Sequence, residues 1–448
     1  MRILNISRVS TIIFFAINFL LSSCGGSGKD GKDANGDKYS NDSKSGKYGK
    51  NDNQDIVYAG GYNMSGISVT PGYWKNGAWT PLPRLGEGYQ SAEVTSLVVL
   101  KSDVYAGGYS NDGEFDVPGY WVNGIWNPLP KMNPESDSWV TSLVVSNSVI
   151  YAGGYIHGDH RGNPNRRDPG YWVNGIWNAL PKISAKCDSS VTSLVVVGSD
   201  VYAGGQQCEI PDNYADYNNP YSPPRQPPPV HLNLPLPSPT PTPPPPPLSC
   251  FVGYWKNQEW NSIFSANTAV FDSRSLGLTS LVVSSSTDST DDVYAGGYIY
   301  DYSEGRKPGY WKNKTWNPLQ NPLGYNLEYD STVTSLIVSG SNVYAGGQIN
   351  DSTIKRINVG GPMTIQKLIP GYWINGIWHA LPTNSKSKNS EYIKNSHVKS
   401  LAVSGSNIYV GGDISFSPGY WKNSVWEALT VNGQQASGVV NTLVVTQN

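Results

Sequence analysis

The side chains that could do chemistry are few in this sequence, and most of them stand alone. The densest group is His157, Asp159 and His160. Two imidazoles and a carboxylate could hold a metal ion, but three polar residues in a loop are usually just solvated. We therefore treat the group as a candidate ligand-binding surface and expect neither a metal ion nor a cofactor.

Motifs of known catalytic chemistry are missing as well. The sequence contains no nucleophile elbow, no histidines at metal-ligand spacing and no recurrent Asp-box of the form Ser-x-Asp-x-Gly-x-x-Trp. Its five histidines leave few general bases, although a carboxylate could take that role. On these grounds we expect that the protein is not an enzyme.

Three short phrases recur seven times each and organise the rest of the chain. They are a Gly-Gly pair, a Gly-Tyr-Trp triplet and a run close to Val-Thr-Ser-Leu-Val-Val. A fixed period of roughly 45–50 residues, built from short strands and turns, is typical of a β-propeller. The phrases begin at 60, 107, 153, 204, 296, 346 and 411; at 72, 119, 170, 253, 309, 371 and 419; and at 94, 140, 191, 278, 333, 398 and 440.

Each repeat is predicted to form four antiparallel strands. The Val-Thr-Ser-Leu-Val-Val run is the first, the segment that ends in Gly-Gly is the second, and the third and fourth flank a two-residue turn. That turn is Asn-Gly at 76, 123, 174 and 375, a strong hairpin signal, and it keeps the Asn at 257, 313 and 423. Such a turn places Trp74 opposite Trp79 in a closely spaced pair, so the two indoles should lie against each other.

The same register pairs fourteen of the fifteen tryptophans, which predicts that they pack in the core. Trp139 is the exception, and it lies at a loop end where other repeats have Glu93, Ser190 or Thr332. An aromatic side chain on the rim can anchor a ligand or cap a blade, and both alternatives stay open. The Gly-Gly pairs are expected where strands approach too closely for a side chain.

The repeat resembles that of the kelch family. In that family a Gly-Gly doublet closes one strand, and a Tyr and a Trp follow on the next hairpin, often with Leu-Pro after the Trp. Tyr73, Trp79, Leu82 and Pro83 match this layout. The spacing from Tyr to Trp is shorter here, a second Trp stands beside the Tyr, and the first strand reads differently. The resemblance covers residues 56–448 and implies a fold more than an activity.

The repeats begin and end out of phase, which predicts how the ring closes. The first repeat starts at its second strand with Ile56, and the chain ends with an unmatched first strand at 440–445. Joining the two completes seven blades and removes exposed sheet edges. The predicted fold is all-β: a seven-bladed β-propeller of four-stranded antiparallel blades over 56–448, closed by the C-terminal strand.

Residues 1–23 are predicted to be a lipoprotein signal peptide. Two arginines precede an apolar run over 9–21 that is too short to span a bilayer. The run ends in Leu21-Ser22-Ser23-Cys24, which resembles a bacterial lipobox and implies lipidation of Cys24. The alternative is an ordinary secretory signal with a chance cysteine. Because Gly25 is not Asp, the resemblance also implies the outer membrane rather than the inner one.

Residues 24–55 are predicted to be a disordered tether. Six Lys and six Asp among Gly, Ser and Asn, with almost nothing apolar, cannot offset the entropy of ordering. The random-coil span is on the order of 30 Å, which would hold a folded body clear of lipid headgroups. Removing the two leader arginines lowers the net charge from −2 to −4. Nucleic-acid binding needs a clustered basic surface, which this charge does not indicate.

Loop length varies mainly in the second-to-third and fourth-to-first connections, which lie on one rim, where binding residues usually sit. The largest insertion, 206–250, contains a proline-rich run over 237–247 that should form polyproline II, as a partner ligand or a stiff spacer. Cys208 and Cys250 flank it at opposing positions in an oxidising compartment, so we expect a disulfide. Cys187 is left free or competes for that pairing.

These features predict a bacterial envelope lipoprotein, anchored to the membrane through Cys24, whose rim binds a protein or a glycan on the side of the long loops. We expect a monomer that does not bind nucleic acid. The alternatives are a propeller enzyme acting on a glycan at the channel mouth and a structural subunit of an envelope complex. The candidate rim residues are Trp139, His157, Asp159 and His160.

Overall fold

The computed structural model describes residues 54–86, 91–157, 166–209, 248–268, 276–284, 291–301, 305–322, 331–350, 368–383 and 396–447. These residues form seven four-stranded antiparallel sheets in a ring and one small two-stranded ribbon. They contain no helix that could cross a membrane. The predicted fold class, a seven-bladed β-propeller, is confirmed. The predicted leader, the proline-rich run and the predicted tether up to residue 53 lie outside the described residues. Asp55, the last residue assigned to the tether, belongs to the first strand instead.

The thirty strands, in chain order, are β1 (Asp55–Ser65), β2 (Ser68–Lys75), β3 (Ala78–Pro81), β4 (Ala92–Leu100), β5 (Asp103–Asn111), β6 (Asp116–Val122), β7 (Ile125–Pro128), β8 (Ser138–Ser146), β9 (Val149–His157), β10 (Arg167–Val173), β11 (Ile176–Ala179), β12 (Cys187–Val197), β13 (Asp200–Glu209), β14 (Leu248–Lys256), β15 (Glu259–Thr268), β16 (Leu276–Ser284), β17 (Asp292–Asp301), β18 (Gly305–Lys312), β19 (Thr315–Pro318), β20 (Thr332–Ser339), β21 (Asn342–Asn350), β22 (Leu368–Ile374), β23 (Ile377–Ala380), β24 (Ser396–Ser404), β25 (Asn407–Ile414), β26 (Ser417–Lys422), β27 (Val425–Ala428), β28 (Thr430–Val431), β29 (Gln434–Gln435) and β30 (Gly438–Gln447).

In each blade the first strand lines the central channel and the fourth lies outermost. Blade 1 has the order β30-β1-β2-β3, and blades 2 to 7 follow as β4–β7, β8–β11, β12–β15, β16–β19, β20–β23 and β24–β27. The first strands of neighbouring blades contact one another around the whole ring. The turns after the first and third strands lie on what we call the short-turn face. The connections after the second and fourth strands lie on the opposite, long-loop face.

The C-terminal strand closes the ring, as the sequence predicts. β30 pairs with β1 from Asp55 opposite Gln447 to Asn63 opposite Gly438. The first residue of β1 is also held by blade 7, because the Asp55 carboxylate accepts hydrogen bonds from Ser404 Oγ at 2.7 Å and Tyr409 Oη at 2.6 Å. The chain therefore enters the propeller on the short-turn face, at the seam between blades 7 and 1.

The predicted tryptophan pairs form in all seven blades. Trp74 faces Trp79 across the hairpin, and the ring centroids of the seven pairs lie 4.2–4.5 Å apart. Their burial differs, however, because the first tryptophan of each pair is 0–1% exposed while the second is only half-buried. The second ring lies over the glycine of Gly-Tyr-Trp. A Cβ on Gly119 would come within 2.4 Å of the Trp126 ring.

The buried tryptophan of a blade is fixed to the blade before it. Trp121 Nε1 of blade 2 donates a hydrogen bond to Pro83 O, which follows the outer strand of blade 1, at 2.9 Å. The same bond recurs from Trp74 to Thr430 O, Trp172 to Pro130 O, Trp255 to Pro181 O, Trp373 to Gln320 O and Trp421 to Pro382 O. Each of these indoles therefore both fills and hydrogen-bonds a seam between blades.

The turn between third and fourth strands explains why its Asn is kept even where the Gly is not. Asn76 has a φ of 47°, and its Oδ1 accepts a hydrogen bond from Val57 N, at the start of the second strand, at 2.9 Å. Equivalent bonds are present in all seven blades. In three turns the next residue is not glycine although its φ is also positive: Gln258 (74°), Lys314 (73°) and Ser424 (67°).

Replacing these three residues by glycine should stabilise the protein. Left-handed backbone costs a non-glycine residue of the order of 1 kcal/mol, so each of Gln258→Gly, Lys314→Gly and Ser424→Gly is expected to raise the free energy of unfolding by about 0.5–1 kcal/mol. Thermal melting compared with the matched reverse change, Gly124→Lys, checks this. If the two kinds of change shift the melting temperature in the same direction, backbone strain is not the cause.

Closure by β30 should dominate the stability of the ring. Deleting residues 440–448 removes the first strand of blade 1 and exposes the edge of β1, so the melting temperature should fall by more than about 10 °C. Deleting Asn448 alone, which follows the last strand, is the control. A melting curve unchanged by the longer deletion would contradict the closure seen here.

Candidate functional site

A β-bulge in the first strand of every blade shapes the wall of the channel. In blade 2 the register shifts between Val94 and Ser96, so Thr95 has no partner across the sheet. The bulge brings the Glu93 carbonyl oxygen to 1.9 Å from where a Cβ on Gly108 would be. The corresponding distance is 1.9–2.1 Å in all seven blades. The second position of each Gly-Gly pair must therefore be glycine, because a carbonyl oxygen of the first strand in the same blade occupies the space of a side chain.

Five of the seven bulge residues are threonines, and four of these, all but Thr334, bond to the next blade. Thr95 Oγ1 lies 3.1 Å from Gly107 O of its own blade and 2.9 Å from Val140 O of the next. The serine that follows, Ser96, accepts a hydrogen bond from Leu143 N of the next blade at 2.8 Å. Two bulge residues depart from this pattern. The seven are Thr95, Thr141, Thr192, Thr279, Thr334, Lys399 and Asn441.

On the long-loop side of the bulges, each blade places one cross-strand pair, and we call these seven pairs the channel-mouth layer. The pairs differ between blades although the strands around them repeat. Those of blades 4 to 6 contain no charged side chain, whereas blades 2 and 7 supply two acids and a histidine. From blade 1 to blade 7 the pairs are Val439–Tyr62, Glu93–Tyr109, Trp139–Tyr155, Ser190–Gln206, Gly277–Tyr298, Thr332–Gln348 and His397–Asp413.

Glu93 is the acid of this layer in blade 2, and its carboxylate is held from two blades. Asn441 Nδ2 of blade 1 donates to Glu93 Oε1 at 2.6 Å, and Tyr109 Oη donates to Glu93 Oε2 at 3.1 Å. Burial raises the pKa of Glu93, although both hydrogen bonds act against the rise. A carboxyl group with a raised pKa can donate a proton as well as accept a hydrogen bond.

Lys399 is the bulge residue of blade 7, and it is half-buried at the channel wall. Its Nζ makes no hydrogen bond or ion pair to a residue that the structure describes. Burial lowers the pKa of Lys399, and the charges of Asp413 and Glu93 only partly offset that effect. Asp413, 1% exposed, is held by His397, whose Nδ1 lies 3.2 Å from Asp413 Oδ1. One amine and two carboxyl groups therefore share one side of the channel.

Trp139 lies in the same layer and packs on two sides. Its ring stacks on Tyr109 of blade 2, with 4.8 Å between centroids and 10° between planes. Its other neighbour is Tyr155, at 5.8 Å. Trp139 Nε1 donates to Asp116 Oδ2 at 2.8 Å, and burial raises the pKa of Asp116. The indole remains half-buried, so it belongs to an aromatic group that bridges blades 2 and 3 and keeps part of its surface open.

The other predicted rim residues are only partly placed. The His157 ring lies 5.6 Å from the Tyr155 ring, which puts it next to the aromatic group. Asp159 and His160 lie outside the described residues. Within the described ranges, no three His, Cys, Asp or Glu side chains come together in a way that could hold a metal ion.

The structure joins Cys208 and Cys250 in a disulfide at directly opposite positions of β13 and β14. Cys187 is a free thiol and is buried. It pairs across the sheet with Glu209, one position along from Cys208. Side chains at successive strand positions point to opposite faces, so Cys187 lies on the other face of the sheet from the disulfide. Competition of Cys187 for that pairing is therefore not favoured by the geometry.

Exposed apolar side chains lie on the same face as the charged half of the mouth, in the same blades and the one beside them. On the long-loop face, turns and connections of blades 7, 1, 2 and 3 carry five large apolar residues that are 44–70% exposed. Apolar residues grouped on one region of a surface mark an interaction site more often than scattered ones do. We call them the apolar rim: Phe416, Ile67, Leu85, Met132 and Ile183.

Sequence reasoning missed the charged and amide side chains of the mouth. Lys399, Asp413 and Asn441 received no role, and Glu93 entered only as the counterpart of Trp139. A signal was present, because aligning the first strands shows Thr before Ser-Leu in five repeats and Lys399 or Asn441 at the same place in the others. Residues that break a repeat are candidates for function when the fold does not require the change.

No family model matches this chain, and no curated protein sequence matches it. Among solved structures it is similar to a Trypanosoma rangeli sialidase in complex with sialic acid (10% identity, TM-score 0.39), covering 85% of this chain and 58% of the sialidase. It is also similar to extracellular domains 1-2 of Drosophila Semaphorin 1b (8%, TM-score 0.34, 87% and 85% covered). A third is an α-L-arabinofuranosidase from Clostridium thermocellum (12%, TM-score 0.28, 65% and 94% covered). At these values, no site residue or ligand is carried over.

The sequence-based expectation that this protein is not an enzyme needs correction. It was drawn from missing motifs, yet two of these three similar structures are named as enzymes that act on glycosides. Missing motifs are therefore no ground for excluding catalysis by this propeller. The identities of 10% and 12% do not by themselves assign an activity.

The raised pKa of Glu93 predicts a pH-dependent stability. Because the folded state holds this proton more tightly than the unfolded chain, stability is lost as the pH rises from the ordinary value of 4.5 through the raised pKa. Glu93→Gln keeps the hydrogen-bonding shape but cannot ionise. Its melting temperature relative to the parent should therefore rise as the pH is increased above 4.5. Exposed Glu114→Gln is the control, and a difference that stays constant with pH would contradict the assignment.

Proposed function

We propose that this protein binds a partner on its long-loop face, over blades 7, 1, 2 and 3. The observation that carries the proposal is the break in sevenfold repetition at the channel-mouth layer. The fold needs the bulge, the glycines and the tryptophan pairs in every blade, but it does not need Glu93, Trp139 or Lys399. Their positions on one arc, next to the apolar rim, support a single binding surface rather than seven equivalent ones.

A protein partner fits this surface best. The apolar rim offers exposed Met132, Ile67 and Phe416, which are residue types that suit the buried centre of an interface. The channel-mouth charges lie beside them and could fix the orientation of a partner.

A glycan is the second candidate, supported by the composition of the mouth. Glu93 can accept hydrogen bonds from hydroxyl groups, Lys399 can donate them, and Trp139 offers part of an aromatic surface. If a glycan enters, the raised pKa of Glu93 suits a proton donor at the channel mouth. A propeller that acts on a glycan at this mouth is therefore an alternative within the same site.

The setting of this surface is part of the proposal. We infer that cleavage after residue 23 and lipidation of Cys24 anchor the chain in a bacterial envelope membrane, the outer rather than the inner, with residues 24–55 as the tether. The lipobox-like Leu21-Ser22-Ser23-Cys24 supports this inference. We also class the blades as kelch-like, on the roles of their Gly-Gly, Tyr and Trp residues. The proline-rich insertion between Cys208 and Cys250 stays a spacer or a second recognition element.

The proposal predicts which substitutions abolish binding. The chain from residue 25 onward is immobilised and exposed to envelope proteins and, separately, to a glycan array. For a protein partner, Met132→Ser with Ile67→Ser should lower affinity roughly tenfold or more, because such contacts contribute 1–2 kcal/mol each. For a glycan, Trp139→Ala and Glu93→Gln should lower it instead.

Ile125→Ser on the short-turn face is the matched control, since it removes an equally exposed aliphatic side chain elsewhere. Binding that survives all four rim and mouth substitutions would overturn the proposal. Turnover of a captured glycan, lost in Glu93→Gln, would establish the enzymatic alternative.

A further inference from the structure

The short-turn face carries a second group of exposed apolar side chains that the proposed binding surface does not use. They occupy one repeated position, the first residue of the fourth strand, next to the hairpin turn. Blades 6, 7, 1, 2 and 3 have an aliphatic residue there, whereas blades 4 and 5 have Glu259 and Thr315. We call the five residues the aliphatic arc: Ile377, Val425, Ala78, Ile125 and Ile176.

The members of the arc are unusually open to solvent. Ile125 and Ile176 are 70% and 71% exposed, and Ile377 and Val425 are 60% and 61% exposed. Single exposed aliphatic residues are common and need no explanation. Five at equivalent positions in consecutive blades present an apolar edge to whatever lies below that face.

The chain enters the propeller at the middle of this arc. Asp55 begins β1 in blade 1 and is held to blade 7 by Ser404, Asn407 and Tyr409. These hydrogen bonds lower the pKa of Asp55 although burial opposes them, so the carboxylate stays ionised and bonded. Asp55, which follows Cys24 by 31 positions, therefore joins the propeller on the same face as the arc.

The lysines of this face differ inside and outside the arc. In blades 4 and 5, Lys256 and Lys312 form ion pairs with Asp200 and Asp292 at 3.0 and 3.1 Å. In blades 1 and 7, Lys75 and Lys422 make no ion pair with a described residue, although the charge of Lys422 helps to lower the pKa of Asp55. All four Nζ atoms lie 5.0–5.4 Å from the centroid of a tyrosine ring, so the ion pair alone distinguishes the two groups. A lysine beside aliphatic residues suits the boundary between lipid headgroups and hydrocarbon, because its methylene chain can lie among apolar groups while its amine reaches the headgroups.

We infer that the aliphatic arc rests on the lipid surface that carries the protein's own anchor. This inference builds on the proposed lipidation of Cys24. Aliphatic tips enter the headgroup region, and Lys75 and Lys422 meet anionic headgroups. The long-loop face then points away from the membrane, toward a partner.

The test separates docking from lipidation. The chain from residue 25 onward carries an N-terminal histidine tag, which attaches it to phosphatidylethanolamine–phosphatidylglycerol vesicles through a nickel-chelating lipid. A fluorophore is placed at Ala78→Cys in the arc or at Ile67→Cys on the long-loop face, and nitroxide-labelled headgroups quench it. The inference expects severalfold stronger quenching at position 78. Equal quenching at the two positions would overturn it.

A variant with serine at Ile125, Ile176, Ile377 and Val425 should reduce quenching at position 78 to that at position 67. The matched control, Leu85→Ser with Met132→Ser, should leave quenching unchanged. Persistence of the difference in the four-serine variant would show that the tether, and not the arc, sets the orientation. Lipidation is checked apart from this, by the mass of the mature protein and its loss in Cys24→Ser.

Discussion

The ring depends on the way each blade holds the blade before it. The fully buried tryptophan of a hairpin fills the seam. Its indole N–H, the only donor of the side chain, bonds to a carbonyl oxygen just after the outer strand of the preceding blade. Nearer the channel, hydroxyl groups bridge the seams as well: Thr95 and Ser96 of blade 2 bond to blade 3, across the seam where Trp172 bonds Pro130 O. An indole bonded in this way cannot turn without leaving its donor unsatisfied in a buried place, so the angle between blades is fixed from both ends.

The second tryptophan has a different task, which its partial exposure reveals. It lies against the buried ring and over the glycine of Gly-Tyr-Trp, so it covers the outer side of the seam instead of filling it. With short fourth strands of only four residues in most blades, a second large ring supplies apolar cover that a longer strand would otherwise give.

Much of the fold could be predicted because the same turn and strand residues recur in seven repeats. The Asn-Gly turn fixes the register, the register pairs the tryptophans, and the unmatched last strand closes the ring. The bulge could not be predicted, because the sequence around Thr95 fits a regular strand. It is recognised only in the structure, where the Glu93 carbonyl oxygen lies over Gly108. The partners of Glu93 were hidden for another reason. Asn441 meets it only because closure brings the last strand beside blade 2, a contact across 348 residues.

The bulge also explains why the channel mouth could diverge while the blades did not. Residues on the channel side of a seam must match a neighbour, so Leu97, Leu143 and their equivalents hardly vary. On the long-loop side of the bulge no residue type recurs in this way, and the contacts between blades depend on the pair that each blade supplies. Asn441 of blade 1 bonds Glu93 of blade 2, and Trp139 of blade 3 stacks on Tyr109 of blade 2. Glu93 and Trp139 can therefore differ from their counterparts without displacing the leucines. Diversity confined to one layer of one face is the physical condition for a ring of like blades to recognise an unlike partner.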